Sequence, residues 1–221
     1  MFRFFVTNKI DDNFFELSDE VLKHIKVIRS EKEKFICIFE GKFYICKLED
    51  KLARILEPLN ESHEHNGRVI IAAALINIKR FEWLIQKAAE LGATELIPIL
   101  TKRVIKKNND FSKKIIRWNQ ISKNASEQSF RNVKMIVSKP INFNDALKID
   151  VDNKYISHEK NKSKVPIEFP TNSIFFIGPE GGFTEEEISI AKEFGCQDIS
   201  LGTRILRSET ASIFILSRIK A

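Results

Sequence analysis

The chain has 221 residues, 43% of them hydrophobic, a net charge of +6 and a pI near 9.1. That length buries one full core and a smaller second one without staples, and the three scattered cysteines (Cys37, Cys46, Cys196) form no CxxC or Cys/His cluster, which argues against a disulfide framework and a metal site. No apolar run approaches the ~20 residues of a bilayer span, and the first residues mix polar and acidic side chains with their Phe pairs, so a reduced, cytoplasmic protein without a membrane partner is expected.

In chain order, FRFFV and NFFEL have strand composition, and SDEVLKHIKVI follows as a short helix with Ser18 as cap and Leu22, Ile25 and Ile28 on one face. KFICIFE and KFYICKLE flank Glu40-Gly41, a hairpin signal, and a further strand is expected over Leu52 to Leu56. Residues 1–66 therefore read as a small β-rich domain that ends in the polar linker LNESHEHNG. His63 and His65 in that linker are read as solvated rather than metal-binding.

From Arg68 the pattern changes to α/β. RVIIAAAL is a continuous apolar run of the kind a buried parallel strand shows, and IKRFEWLIQKAAELG is an amphipathic helix with Phe81, Leu84, Ile85, Ala88 and Leu91 inward and Gly92 as its stop. ELIPIL, a helix from Ser112 to about Ser129, NVKMIVS, NDALKI, KYISH, SIFFIG, the TEEE helix, DISLG and a last helix continue the alternation, which predicts a layered fold with a mostly parallel sheet. The last helix has no charge between Thr210 and Ser217 and is expected to be buried all round, inside the domain or against a second subunit.

Charge is unevenly spread. The segments 1–66 and 165–221 are net acidic, so the positive excess sits between them, above all in Thr101 to Lys139, where only Asp110 and Glu127 oppose the basic side chains. Such a stretch is an electrostatic footprint for a polyanion, with nucleic acid ahead of a merely solvated face.

Two loops carry the chemistry. In SIFFIGPEGGFTEEE a strand runs into a glycine-rich turn and a helix that opens on three glutamates; Thr184 and Glu187 have the spacing of a capping box, which accounts for Glu187. Glu180, Glu185 and Glu186 remain in a span with no Lys or Arg from Val165 to Ala191, a field that repels phosphate. The spacing also fits neither the GxGxxG nor the P-loop pattern. A ligand without phosphate and with positive charge suits the turn better, and S-adenosyl-L-methionine has that chemistry. Downstream, DISLGTRILRSETAS again runs strand, glycine, loop and helix, with Ser208 as the expected cap and Arg207 and Glu209 as either an ion pair or catalytic groups.

FIGPEGGFTEEEI followed by LGTRILRSETA resembles the RsmE family of 16S ribosomal RNA uridine-N3 methyltransferases in the SPOUT superfamily. KRFEWLIQKAAELGATELIPILTKR and RWNQISKNASEQSFRN extend the resemblance over nearly the whole chain, and HIKVIRS is similar to the family's N-terminal motif. The resemblance implies a PUA-like β-barrel over residues 1–66, which helps to hold RNA, and a SPOUT methyltransferase domain over 67–221 with a C-terminal trefoil knot. It implies S-adenosyl-L-methionine as cofactor, 16S rRNA or the assembled small subunit as substrate, and a homodimer. Carried over by position, the cofactor site is Gly178, Pro179, Glu180, Gly181, Gly182, Leu201, Gly202, Ile205, Leu206, Arg207, Glu209 and Thr210. Arg207 is expected to stabilise the uracil anion, with Glu209 orienting it or accepting the proton and Glu180 as the other base. RNA contacts are expected from Arg29, Lys79, Lys87, Arg103, Lys106, Lys107, Lys113, Lys114, Arg117 and Arg131. Thr203 and Ser208 stand where the family more often has Pro and Thr. A non-enzymatic RNA-binding module on the same fold, and a related enzyme that methylates a ribose 2′-hydroxyl or another base, are the rival readings.

Overall fold

The computed structural model describes residues 1–103, 110–161 and 165–220. The chain separates into two compact units: residues 1–64 together with 126–134, and residues 65–125 together with 135–221. The division expected near residue 66 thus lies beside the one between Glu64 and His65, but the segment 126–134 clusters with the N-terminal unit.

The N-terminal unit is a five-stranded sheet in the order β1-β3-β4-β5-β2, formed by β1 (Arg3–Phe5), β2 (Phe14–Glu16), β3 (Lys34–Phe39), β4 (Lys42–Glu49) and β5 (Leu52–Leu59). β1 pairs parallel with β3 and the other pairs are antiparallel. Glu40 and Gly41 both have positive φ (48° and 75°), the backbone of a type I′ turn, which is why that dipeptide closes the β3–β4 hairpin. Helix α1 (Asp19–Val27) is capped by Ser18, whose side chain accepts from the Val21 amide, and it buries Val21 and Ile25 against Phe4, Phe15 and Phe35. Cys37 and Cys46 lie free in this core, where hydrogen bonding to Cys46 and burial push the Cys37 thiol well up.

The second unit is built on parallel strands: β6 (Val69–Ala74), β7 (Glu95–Leu100), β8 (Ile136–Val137), β9 (Ile141–Asn142), β10 (Asn153–Ser157), β11 (Ser173–Ile177) and β12 (Gln197–Ile199). Their order is β12-β10-β11-β6-β7-β8, with β9 also on β7. All six residues of β6 are buried, because both faces of the sheet are covered. Val69, Ile71 and Ala73 face a core shared with α2 (Ile78–Glu90), Trp118 of α3 (Ser112–Gln128) and α6 (Ser208–Leu216). Ile70, Ala72 and Ala74 face the other, shared with the short α4 (Phe143–Ala146) and α5 (Glu185–Glu193). Each fully buried Ile contributes about 2 kcal/mol to this sandwich. The α3 start differs in one detail from the expected Ser cap: the Asp110 carboxylate accepts from the Ser112 amide (2.9 Å) and hydroxyl (2.5 Å). Helix α6 is also less enclosed than its sequence suggests, since Ile213 and Phe214 are only half-buried and Thr210 is exposed.

Candidate functional site

The carboxyl ends of β10, β11 and β12 open on one cavity, the position where parallel sheets present ligand-binding loops. Its wall takes Ser157, His158 and Glu159 from β10 and the residue pair beyond it, Ile177 to Gly182 from β11 and its turn, Leu201, Gly202 and Arg204 to Leu206 from the next loop, and Ser208 and Ala211 from α6. The glycines of the turn are needed for different reasons. The Gly182 amide donates to the Pro179 carbonyl at 2.8 Å, leaving Glu180 and Gly181 at the tip of a tight turn. Gly182 has φ +68°, and a Cβ there would lie 2.9 Å from the Glu159 carboxylate; one on Gly178 would lie 3.2 Å from the Gly182 carbonyl carbon and from the Phe183 ring. Bare backbone therefore forms this wall.

Immediately after the turn, buried Phe183 packs on Phe143 and the chain enters α5. Thr184 and Glu187 make the full capping box. Buried Glu187 also accepts from the Lys102 amide at 2.8 Å, which ties the end of β7 to the start of α5. The acidic field expected around this turn is largely neutralised by cations from elsewhere in the fold. Lys102 pairs with Glu186, Lys160 with Glu185, and Arg80 with Glu180 at 3.2 Å. Glu185 is held below the usual carboxylate range by its hydrogen bond and charge pairing with Lys160. Repulsion of phosphate by unpaired glutamates is thus not what this site offers. Glu159 is the cavity carboxylate with no ion pair among the described residues.

The second loop departs from expectation at three residues. The N-cap of α6 is Arg207, without a side-chain cap, and Ser208 is the first helical residue. The Ser208 Oγ is buried with no hydrogen-bond partner among the described residues, and the residue lines the cavity. Glu209 is buried and faces Arg80, whose Nε lies 4.0 Å away, so of the two readings of Arg207 and Glu209 the ion pair is not formed; Glu209 pairs with Arg80. Arg207 is exposed, and Arg207, Glu209 and Thr210 all lie outside the cavity lining; the other nine residues expected to hold a cofactor line it.

His158 was not singled out by sequence, having no motif around it. Its Nδ1 lies 3.3 Å from the Asp198 Oδ2 on β12. Burial alone would raise the Asp198 carboxyl, but hydrogen bonds from Asn161, His158 and Lys192 outweigh it and hold the group below its ordinary value. The imidazole is fixed on the cavity wall as a result.

A family profile described as RNA methyltransferase domain matches residues 63–220. The ribosomal RNA small subunit methyltransferase E of Mesomycoplasma hyopneumoniae (strain 232) is 42% identical over 99% of this chain and 98% of its own. This chain belongs to the ribosomal RNA small subunit methyltransferase E family. The relative from Aquifex aeolicus (strain VF5) is 33% identical, with 93% of each chain covered. A crystal structure of the Neisseria gonorrhoeae family member bound to S-adenosyl methionine superposes with a TM-score of 0.88, at 30% identity, over 98% of this chain and 95% of that one. The architecture is accordingly of SPOUT type, an α/β unit with a parallel sheet preceded by a smaller β unit.

Among the basic residues expected to meet RNA in this family member, the fold separates several kinds. Lys106 and Lys107 lie outside the described residues. Arg131 is buried, its guanidinium paired with Glu64, so it is a structural ion pair of the N-terminal unit and not an RNA contact. Arg103 donates to the Gly181 carbonyl and, at 3.3 Å, to that of Phe183, which makes it a brace for the glycine turn. Arg117 is engaged with Glu82 at 2.6 and 2.9 Å, and Lys87 with Glu90. Arg29, Lys79 and Lys113 are exposed, and Lys114 stands 5.0 Å from the Phe111 ring centre. Among the described residues there is no cluster of three or more His, Cys, Asp or Glu able to hold a metal, and no helix is long and apolar enough to cross a membrane.

Proposed function

We infer that this chain transfers a methyl group from S-adenosyl-L-methionine to ribosomal RNA of the small subunit, and we propose N3 of a uridine as the acceptor. The observation that carries the reading is the cavity that both motif loops build together, with a buried hydroxyl at Ser208 in its wall that has no partner among the described residues. The cofactor fits what this wall offers. Bare backbone at Gly178, Gly181 and Gly182 admits close approach, the Ser208 Oγ lacks the hydrogen bond that burial demands, and the Glu159 carboxylate suits a cationic or hydroxyl-bearing ligand. When bound, the cofactor supplies an electrophilic methyl on a sulfonium that leaves as a neutral thioether.

The residues of the chain have to deal with the acceptor. Uracil N3 carries a proton and its lone pair is delocalised into two flanking carbonyls, so the N–H bond must break as the C–N bond forms. Glu180, at the exposed tip of the turn (side chain 56% accessible), is the better proton acceptor; Glu209 is 10% accessible and turned to Arg80. Arg207, exposed beside Leu206 of the cavity wall, donates to the uracil oxygens on which negative charge develops. Replacing Arg207 by Ala should lower turnover about 100-fold with cofactor affinity retained; unchanged turnover removes it from the mechanism. Mass analysis of digested rRNA then locates the methyl, and a ribose 2′-O-methyl or another base would replace the N3 assignment.

Lys113 and Lys114, with Lys79 and Arg29, are proposed as phosphate contacts. A homodimer through the half-buried Ile213 and Phe214 of α6, a knotted passage of the C-terminal loops and a cytoplasmic location complete the proposal. Sedimentation equilibrium tests the dimer, and a monomer at micromolar concentration refutes it.

A further inference from the structure

Arg80 belongs to neither motif loop, yet among the described residues it is the side chain that pairs with a carboxylate of each. It stands in the first turn of α2, a helix fixed by the buried Phe81, Leu84, Ile85 and Ala88, and its neighbour Lys79 points to solvent. Its Nη1 lies 3.2 Å from the Glu180 Oε1 and its Nε 4.0 Å from the Glu209 Oε1. Glu209 has no other ion pair or hydrogen bond from its side chain among the described residues, and a buried carboxylate left alone is costly. The pairing with Glu209 therefore anchors the arginine, while the rest of its planar fork of donors reaches the turn.

We propose that Arg80 is the positioning residue of this site, holding Glu180 in the orientation that receives a proton from the RNA base and locking the glycine turn to the start of α6. Acting through Glu180, it keeps that carboxylate aimed. One guanidinium faces two carboxylates, so Glu180 is oriented by the same side chain that Glu209 anchors. The other charged groups at the turn and its rim are Arg103 beside Gly181, Glu159 and His158 at the end of β10, and Arg204 before α6. None of them pairs with Glu180 among the described residues, so removal of Arg80 is not compensated.

The inference rests on Glu180 being the proton acceptor, and the experiment separates the two claims. Wild type, Arg80→Gln, Arg80→Lys and Glu180→Gln are compared for kcat and KM on small-subunit rRNA, the pH profile of kcat, cofactor Kd by calorimetry and thermal melting. Arg80→Gln should lower kcat by roughly 10–100-fold, the effect of a misplaced catalytic group, with cofactor Kd within about twofold. Arg80→Lys should restore most of the rate, and Glu180→Gln should abolish the acid limb of the pH profile. If Glu180→Gln is inactive while Arg80→Gln keeps its rate, the role of Arg80 is wrong and the acceptor stands. If Glu180→Gln keeps full rate and an unchanged limb, the acceptor assignment is wrong and the role of Arg80 falls with it. If Arg80→Lys is as impaired as Arg80→Gln and both melt early, the arginine is structural only and the proposal is overturned.

Discussion

Two arginine–carboxylate centres, one in each unit, use the same chemistry to opposite ends. In the N-terminal unit Arg131 and Glu64 have side chains only 4% and 17% accessible, and Glu64 also accepts from the amides of Asn132 (2.9 Å) and Val133 (3.1 Å). Neither side chain has a buried polar atom without a partner, and the centre fixes residues 131–133. In the second unit Arg80 is 40% accessible and divides itself between Glu180 and Glu209 at 3.2 and 4.0 Å. That centre is open and incompletely satisfied, and it adjoins a cavity. The difference teaches that an ion pair is to be judged by how fully its atoms are paired: a saturated pair holds a fold, and an unsaturated one leaves capacity for a ligand.

The contrast can be broken by removing one partner at each place. Arg131→Ala leaves a buried carboxylate uncompensated and should cost about 3 kcal/mol in urea unfolding; a loss below about 0.5 kcal/mol would mean that the centre is not structural. Ser208→Ala should behave in the reverse sense. Deleting an orphaned hydroxyl removes a desolvation penalty, so the free protein should be as stable as wild type or slightly more so, while cofactor affinity falls about fivefold, the net worth of one hydrogen bond. Calorimetric titration with a melting curve checks both signs, and equal affinity would show that Ser208 faces no ligand. Neutralising Lys113 and Lys114 should weaken RNA binding and reduce its salt slope by about two, roughly one unit per lost phosphate contact. An unchanged slope makes them solvated side chains only.

The smallest effect concerns pH. The Asp198 carboxyl is held below its ordinary value in the folded state, so its stabilising contribution is complete above the unfolded-state value near 4 and is lost as pH falls through the lower folded one. The stability difference between wild type and Asp198→Asn should therefore shrink below about pH 4. A difference that is constant through that range would show that Asp198 is not depressed.

Local structure was largely legible because local signals set it. Ser18 caps α1, Glu40-Gly41 turns the hairpin, Thr184 and Glu187 form their box, and Val69 to Ala74 is buried on both faces. What escaped depends on partners far away in sequence. Lys102 and Lys160 neutralise Glu186 and Glu185 across 84 and 25 positions, and Arg80 reaches Glu180 across 100; strand order, not spacing, brings these pairs together. Ser208 has the residue type of a cap, yet the backbone leaves the helical path one residue earlier, at Arg207. Arg131 looks like its basic neighbours because sequence does not show which cation of a cluster turns inward.

The account depends on one cavity serving methyl transfer to RNA. Purified protein incubated with small-subunit rRNA and methyl-labelled S-adenosyl-L-methionine, followed by nuclease digestion and mass spectrometry, tests it most directly. The account predicts label on a single uridine, at N3. Absence of label in any nucleoside, with the cofactor failing to bind in calorimetry, would contradict it.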